Sequence, residues 1–199
     1  MIYHSAVVGA SNEEEAEPMS LFESSSLVAF QCDFQTEGLS PRFDSCDVLF
    51  AEPPWRQGFE EFNSRAGVSA GRTYEALMAR IDEEMASCGR PAYVLVGVTA
   101  QKLLPSARGA VPVRIGPHKG RALMKCYGPI IPTETPEGFM HNGEVLALLA
   151  RKYKKVGDWC CGYGYSGRVF LSQGREAVLS DYNAKCIGYI ANNYQTWLE

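Results

Sequence analysis

Val156-Gly157-Asp158-Trp159-Cys160-Cys161-Gly162-Tyr163-Gly164-Tyr165-Ser166-Gly167 is the stretch on which the reading of this chain turns. An apolar strand, Val156 to Cys160, runs into a glycine-rich turn. The pattern then predicts a helix over 165–173, with Gly174 at its stop. Such a turn lets backbone approach a ligand that side chains would block, and Gly162, Gly164 and Gly167 stand in it. The next strand, Ala177 to Ser180, leads into Asp181-Tyr182-Asn183. An acid at that tip suits two ribose hydroxyls, which one carboxylate accepts together. The alternative is that Asp181 caps the last helix. A lone G-x-G carries little information, but strand, turn, helix and trailing acid in this order describe a cofactor loop.

Working outward, short apolar runs at 27–32, 47–51 and 93–98 read as buried parallel strands. Tyr74, Leu77, Met78, Ile81 and Met85 fall at helical spacing, and Gly89 followed by Pro91 ends that helix. Val111, Val113 and Ile115 alternate with other residues, and 121–127 is again strand-like, which predicts a hairpin through Gly116 to Gly120. Gly128 to Gly138 reads as a loop. Helices are expected over 144–153 and 184–198, the latter with Ile187, Ile190, Ala191 and Tyr194 inward. Strands alternating with helices predict an α/β fold: a mostly parallel seven-stranded sheet with an antiparallel edge hairpin and helices on both faces. Residues 1–26, with four acids between Asn12 and Glu17, form an N-terminal arm or short helix, and 27–199 a single domain.

Bulk properties narrow the classes. A chain of 199 residues, 46% apolar and 21% charged, suffices for one sizeable core. No run reaches the length of a membrane span, and no basic region precedes an apolar stretch at the N-terminus. The expected location is therefore cytoplasmic, or the host cytoplasm if the chain is phage-encoded. Seven scattered cysteines form no C-x-x-C pair, so no metal site is expected and buried thiols are. A net charge of −4 is no nucleic-acid footprint, so contacts with DNA or RNA must come from a local patch or a partner.

The apolar run 47–51 closes on Ala51-Glu52-Pro53-Pro54-Trp55. This segment resembles the D/N/S-P-P-Y/F/W motif of S-adenosylmethionine-dependent methyltransferases that modify exocyclic amines of nucleic-acid bases. The stretch from Asp158 resembles their D-P-F-C-G-S-G-T-T-G cofactor loop. The base motif precedes the cofactor loop, the permuted order of one large subgroup, and the resemblance runs from about residue 27 to the C-terminus. It implies a Rossmann-like methyltransferase fold and S-adenosyl-L-methionine as cofactor. In that frame Asp158 receives the methionine ammonium, Asp181 the ribose, and Asp33 of Cys32-Asp33-Phe34 the adenine, while Trp159, Gly162, Gly164 and Asn183 complete the loop. Asp33 reads alternatively as the start of a turn. Nicotinamide binding is the rival on fold grounds, but it leaves Pro53-Pro54-Trp55 unexplained.

An exocyclic amine is a poor nucleophile because its lone pair is conjugated with the ring. In the resemblance, the Glu52 carboxylate and the Pro53 carbonyl accept its two hydrogens, Pro54 stiffens the turn, and Trp55 stacks on the extruded base. Adenine N6 in DNA is the first expectation, cytosine N4 the second, RNA adenosine the third. Three departures stand out: Glu52 where the family has Asp, Asn or Ser; Trp159-Cys160 for Pro-Phe; and Tyr163 and Tyr165 for small residues. A glutamate carries the acceptor farther out, so either the site accommodates it or the chain is a silent relative supporting an active partner. Family members specific for DNA carry a target-recognition region, and here that interval is little more than Gly128 to His141. Recognition then falls to a partner subunit or homodimer, or sequence specificity is low. Expected phosphate contacts are Arg56 and Arg65 after the motif and Lys119, Arg121 and Lys125 on the hairpin. Arg151, Lys152, Lys154 and Lys155 form a second cluster or a solvated helix end. His141 is read as a family feature or a structural residue. Gln57 to Arg72, with three glycines, reads as a mobile lid.

Overall fold

Alternation along the buried strands sorts the molecule into two layers of packing around one sheet. The computed structural model describes residues 18–65, 67, 72–115, 120–132, 134–135 and 138–198. The elements are β1 (Leu21–Glu23), β2 (Leu27–Gln31), α1 (Phe34–Glu37), β3 (Val48–Ala51), α2 (Phe59–Arg65), α3 (Tyr74–Ser87) and β4 (Ala92–Gly97). They continue with β5 (Gly109–Ile115), β6 (Gly120–Cys126), β7 (Glu134–Thr135), β8 (Gly138–Phe139), α4 (Asn142–Lys152), β9 (Lys155–Asp158), α5 (Tyr165–Leu171), β10 (Glu176–Asp181) and α6 (Ala184–Asn193). One eight-stranded sheet has the order β1-β2-β10-β9-β3-β4-β6-β5, and β7 and β8 pair separately. From β2 to β4 the strands are parallel, while β1 at one edge and β6-β5 at the other are antiparallel.

Successive strand residues face opposite layers. Val48, Phe50, Tyr93, Leu95 and Leu179 join the α4, α5 and α6 side with Leu146, Phe170 and Ile187. Leu49, Ala51, Val94, Val96 and Val178 join the α3 side with Leu77, Met78 and Ile81. Full burial of such a side chain contributes roughly 1.5–3 kcal/mol, so the doubly covered central strands hold the sheet together. No helix among the described residues is long and apolar enough to cross a membrane.

All seven predicted strands are present, and the sheet has an eighth. Residues 21–23, assigned from sequence to an N-terminal arm, form edge strand β1 against β2. The serines between them make the turn: Ser24 N donates to the Leu27 carbonyl at 2.8 Å, and Leu27 N donates to Ser24 Oγ at 3.0 Å. Residues 1–17 lie outside the described residues. The last helix is shorter than periodicity predicts. After Asn193 it tightens into a 3-10 turn, Tyr194–Trp197, because Tyr194 is anchored to the far edge by Ser26 (hydroxyls 2.8 Å apart) and by the Phe22 ring. The predicted lid also differs. Its first half is helix α2, pinned by buried Phe59 edge-on to Tyr74, while residues 66 and 68–71 lie outside the described residues. The predicted hairpin loop 116–119 lies outside them as well.

Candidate functional site

β3 and β9 are neighbours at the point where the chain's direction of travel across the sheet reverses. From β3 it proceeds to β4 on one side, and from β9 to β10 on the other. Open α/β sheets bind ligands at the carboxyl ends of strands at such a switch point. Phe50 is paired with Asp158, so the turn from Glu52 leaves β3 beside the turn from Trp159. The two motifs are far apart in the chain and adjacent in space.

Asp158 is buried, with Oδ1 accepting from Cys160 N at 3.1 Å and Oδ2 from Ser166 Oγ at 2.5 Å. Burial pushes its carboxyl up to about 7 against those two donors, with the nearby Glu52 and Asp181 charges adding to the rise. Asp181 accepts from Gly162 N and Asn183 N, each at 2.9 Å, and burial raises it to about 6 despite these bonds. It therefore ties the glycine turn to β10 rather than capping α6, whose cap is Asn183, accepting from Lys185 N at 3.1 Å. The glycines divide their work. Gly162 (φ +49°) has open space where a Cβ would stand. At Gly164 (φ +80°) a Cβ would meet Trp197 at 2.6 Å, and at Gly167 it would meet Leu179 at 2.6 Å. Only Gly162 keeps a surface clear, while Gly164 and Gly167 permit close packing.

Glu52 is half-buried, and burial pushes it up to about 7, opposed by a hydrogen bond from the Trp55 side chain. The same indole lies over Gly97, where a Cβ would stand 3.4 Å from its ring. Pro53 is buried, and Pro54 borders a narrow cleft with Phe34, Asp33, Arg72, Trp159 and Tyr182. Asp33 caps α1 by accepting from Gln35 N, and its carboxylate is gripped by both terminal nitrogens of Arg72, one at 2.9 Å. The turn reading and a cleft position hold together. Trp159 is 1% exposed, its ring 5.3 Å from that of Phe34.

Fit to a cofactor can be tested on the polar atoms. Trp159 Nε1 and the Tyr182 hydroxyl are buried without a hydrogen-bond partner among the described residues, although such groups are costly to leave unpaired. Both belong to residues that line the cleft. Each carboxylate has about four lone-pair sites, so Asp158 and Asp181 retain acceptor capacity beyond the bonds they hold. Unpaired donors and spare acceptors suit an adenosine-type ligand with an ammonium group in kind. The cleft, however, about 20 Å³ with Arg72 clasped to Asp33, has room for about one water, so such a ligand enters only if the clasp opens.

The remaining expected residues are dispersed. Arg56 forms an exposed ion pair with Glu75 and lies over the Tyr74 ring. Arg65 pairs with Glu61 within α2. Lys125 is half-buried on β6, level with Ala51 through Val94. Lys119 and the side chain of Arg121 lie outside the described residues. His141 precedes α4 as its cap, its N–H donating to Glu144 at 2.7 Å, a structural role. Tyr163 stacks edge-on to Tyr189, and Arg168 lies over Tyr165, so neither tyrosine borders the cleft. Sequence reading missed Arg72 and Ser166. Nothing near Arg72 signals its partner, whereas a hydroxyl just inside a helix after a strand-tip acid could have pointed to Ser166.

No protein-family model and no curated protein matches the sequence. Among solved structures, M1.HpyAVI superposes with a TM-score of 0.53 at 9% identity, covering 84% of this chain and 98% of that one. Its complex with SAM gives 0.50 at 10% identity over 84% and 99%. A candidate DNA modification methylase of Thermus thermophilus, complexed with S-adenosyl-L-methionine, gives 0.50 at 13% identity over 78% and 89%. At these identities the likeness is one of fold: a Rossmann-like α/β sheet.

Proposed function

We propose that this chain is an S-adenosylmethionine-dependent methyltransferase acting on an exocyclic amine of a nucleic-acid base, with adenine N6 in DNA first, cytosine N4 second and RNA adenosine third. The observation that carries the reading is the meeting of Glu52-Pro53-Pro54-Trp55 and the Asp158–Gly162 turn at one switch point of a fold shared with the S-adenosylmethionine complexes above. The permuted motif order and the cytoplasmic setting belong to the same proposal, as does a homodimer or partner subunit that supplies target recognition.

S-adenosylmethionine, when bound, supplies an electrophilic methyl on a sulfonium. Asp158 would hold its ammonium, Asp181 its ribose, and the cleft beside Asp33, Phe34 and Trp159 its adenine. Ionised Glu52 and the Pro53 carbonyl accept the two amine hydrogens and draw the nitrogen toward tetrahedral geometry, and the prolines keep that carbonyl from having to be ordered on binding. The indole N–H of Trp55 holds Glu52 in position, and the exposed remainder of the ring is the platform for the base. Positioning of this kind carries the chemistry.

Calorimetry with S-adenosylmethionine, followed by labelled methyl transfer to DNA and then RNA, tests the reading. Micromolar binding is expected, weakened at least about tenfold in Asp181→Asn, one charge-assisted pair being worth that much. Folded protein that binds no S-adenosylmethionine would remove the enzyme reading.

A second reading, a silent relative that supports an active partner, is favoured by the Arg72–Asp33 clasp across the cleft and by Glu52 in place of a shorter residue. Glu52→Asp separates the two: a large gain in transfer marks a degraded site, and a loss marks one built around glutamate.

A further inference from the structure

A second cleft, of about 240 Å³, opens just beyond the Glu52–Trp55 turn, between the start of α3 and the 3-10 segment Val98–Leu103 that follows β4. Arg56, Tyr74, Thr99, Ala100, Lys102 and Leu103 line it. Tyr74 and Ala100 are buried and form an apolar floor. Arg56, Thr99 and Lys102 are exposed at its rim. No carboxylate lines the cleft among the described residues. Glu75 stands outside and holds Arg56 in an exposed pair, while Lys102 makes no ion pair among the described residues.

Two cations and a hydroxyl around an apolar floor can donate to an anion with oxygens on several sides, and arginine matches the phosphate fork in particular. The cleft shares a wall with the base motif. Trp55 packs on Gly97, Arg56 follows Trp55, and Thr99 lies two residues past Gly97. A strand delivering a base to that turn carries its backbone past this rim. The geometry points to the cleft as the seat of a backbone phosphate of the substrate strand, flanking the nucleotide whose base enters the Glu52–Trp55 turn. This rests on the nucleic-acid reading above and adds Thr99 and Lys102 to it.

Glu75 has a part in the same site. An exposed carboxylate–guanidinium pair contributes little to stability, whereas a phosphate offers Arg56 a bidentate partner. Glu75 is thus a placeholder that the strand displaces, and it lowers affinity by competing for Arg56.

Anisotropy of a labelled single-stranded oligodeoxynucleotide, with S-adenosylmethionine present and salt varied, tests the assignment. Lys102→Ala is expected to weaken binding several-fold and to make the slope of log K against log salt shallower by about 0.7, the value for one phosphate contact on a single strand. Glu75→Gln is expected to tighten binding a few-fold. Arg42→Gln, exposed in the turn ahead of β3 and so at the other end of that strand from Glu52, serves as the control for general charge loss. Equal behaviour of Lys102→Ala and Arg42→Gln, or a Glu75→Gln that binds no tighter than wild type, would overturn the cleft and leave the methyltransferase reading standing. Wild-type protein that binds S-adenosylmethionine but no strand overturns the cleft alone, and protein that binds neither removes both. Orthophosphate at matched ionic strength is expected not to compete, and displacement by it would assign the cleft to a free anion instead.

Discussion

Glu52 shows how far a side chain's chemistry depends on its surroundings. In water a glutamate is ionised at neutral pH, but burial moves this one to about 7, and the Trp55 indole restrains the rise. Only the ionised form offers two acceptor oxygens, so under the proposed function methyl transfer should climb through pH 7 and level off above it. Glu52→Gln keeps one acceptor and cannot titrate, so its pH–rate profile should lose this limb and its kcat fall by about 100- to 1,000-fold, as for loss of one positioned hydrogen-bonding group. Trp55→Phe keeps a ring over Gly97 and removes the indole N–H. With that donor gone the Glu52 carboxyl rises further, and the ascending limb should move to higher pH. A limb that stays in place in both variants would show that another group titrates. None of this was legible in Glu-Pro-Pro-Trp as letters. The motif singled out Glu52 as the proposed acceptor, but its burial and its indole partner arise only when the turn is folded against β4.

At the scale of elements, the glycine turn between β9 and α5 separates two needs that look alike in sequence. Gly162→Ala forces a Cβ onto a left-handed residue but meets no neighbour, so it should cost only about 1–2 kcal/mol of stability while blocking the cleared surface and reducing S-adenosylmethionine affinity. Gly164→Ala adds the same strain and drives its methyl into Trp197 and Ile190, so a larger loss, about 2–4 kcal/mol, is expected by urea unfolding. Equal losses in the two variants would contradict this division. The strand–turn–helix order was readable because hydropathy and glycine placement are local. The end of α6 was not, because Tyr194 answers to Ser26 and Phe22 across the sheet edge, against its own helical period.

For the whole molecule, the switch point gathers Glu52, Asp158 and Asp181, all raised by burial above the ordinary carboxylate range, to about 7, 7 and 6. Unfolded, these groups ionise near pH 4, so between about pH 4 and 7 the folded protein binds more protons than the unfolded chain. The stabilisation they provide is complete below that window and is lost as pH rises through it. Stability without cofactor should therefore fall by several kcal/mol from pH 5 to pH 8, at about 1.4 kcal/mol per pH unit for each group still protonated, and Asp158→Asn should flatten the fall. Unfolding midpoints at the two pH values check this, and a rise toward pH 8 would contradict it. By itself, the amino-acid sequence determined the parallel α/β sheet, the glycine turn and the two motifs, since each rests on a local period or a short run of residues. Only the tertiary structure decided that the two turns leave adjacent strands, that Asp33 is clasped by Arg72, and that Asp181 binds its own turn. Those facts depend on which strands lie side by side, and strand order is set by burying both faces of one sheet at once, a condition on the whole chain.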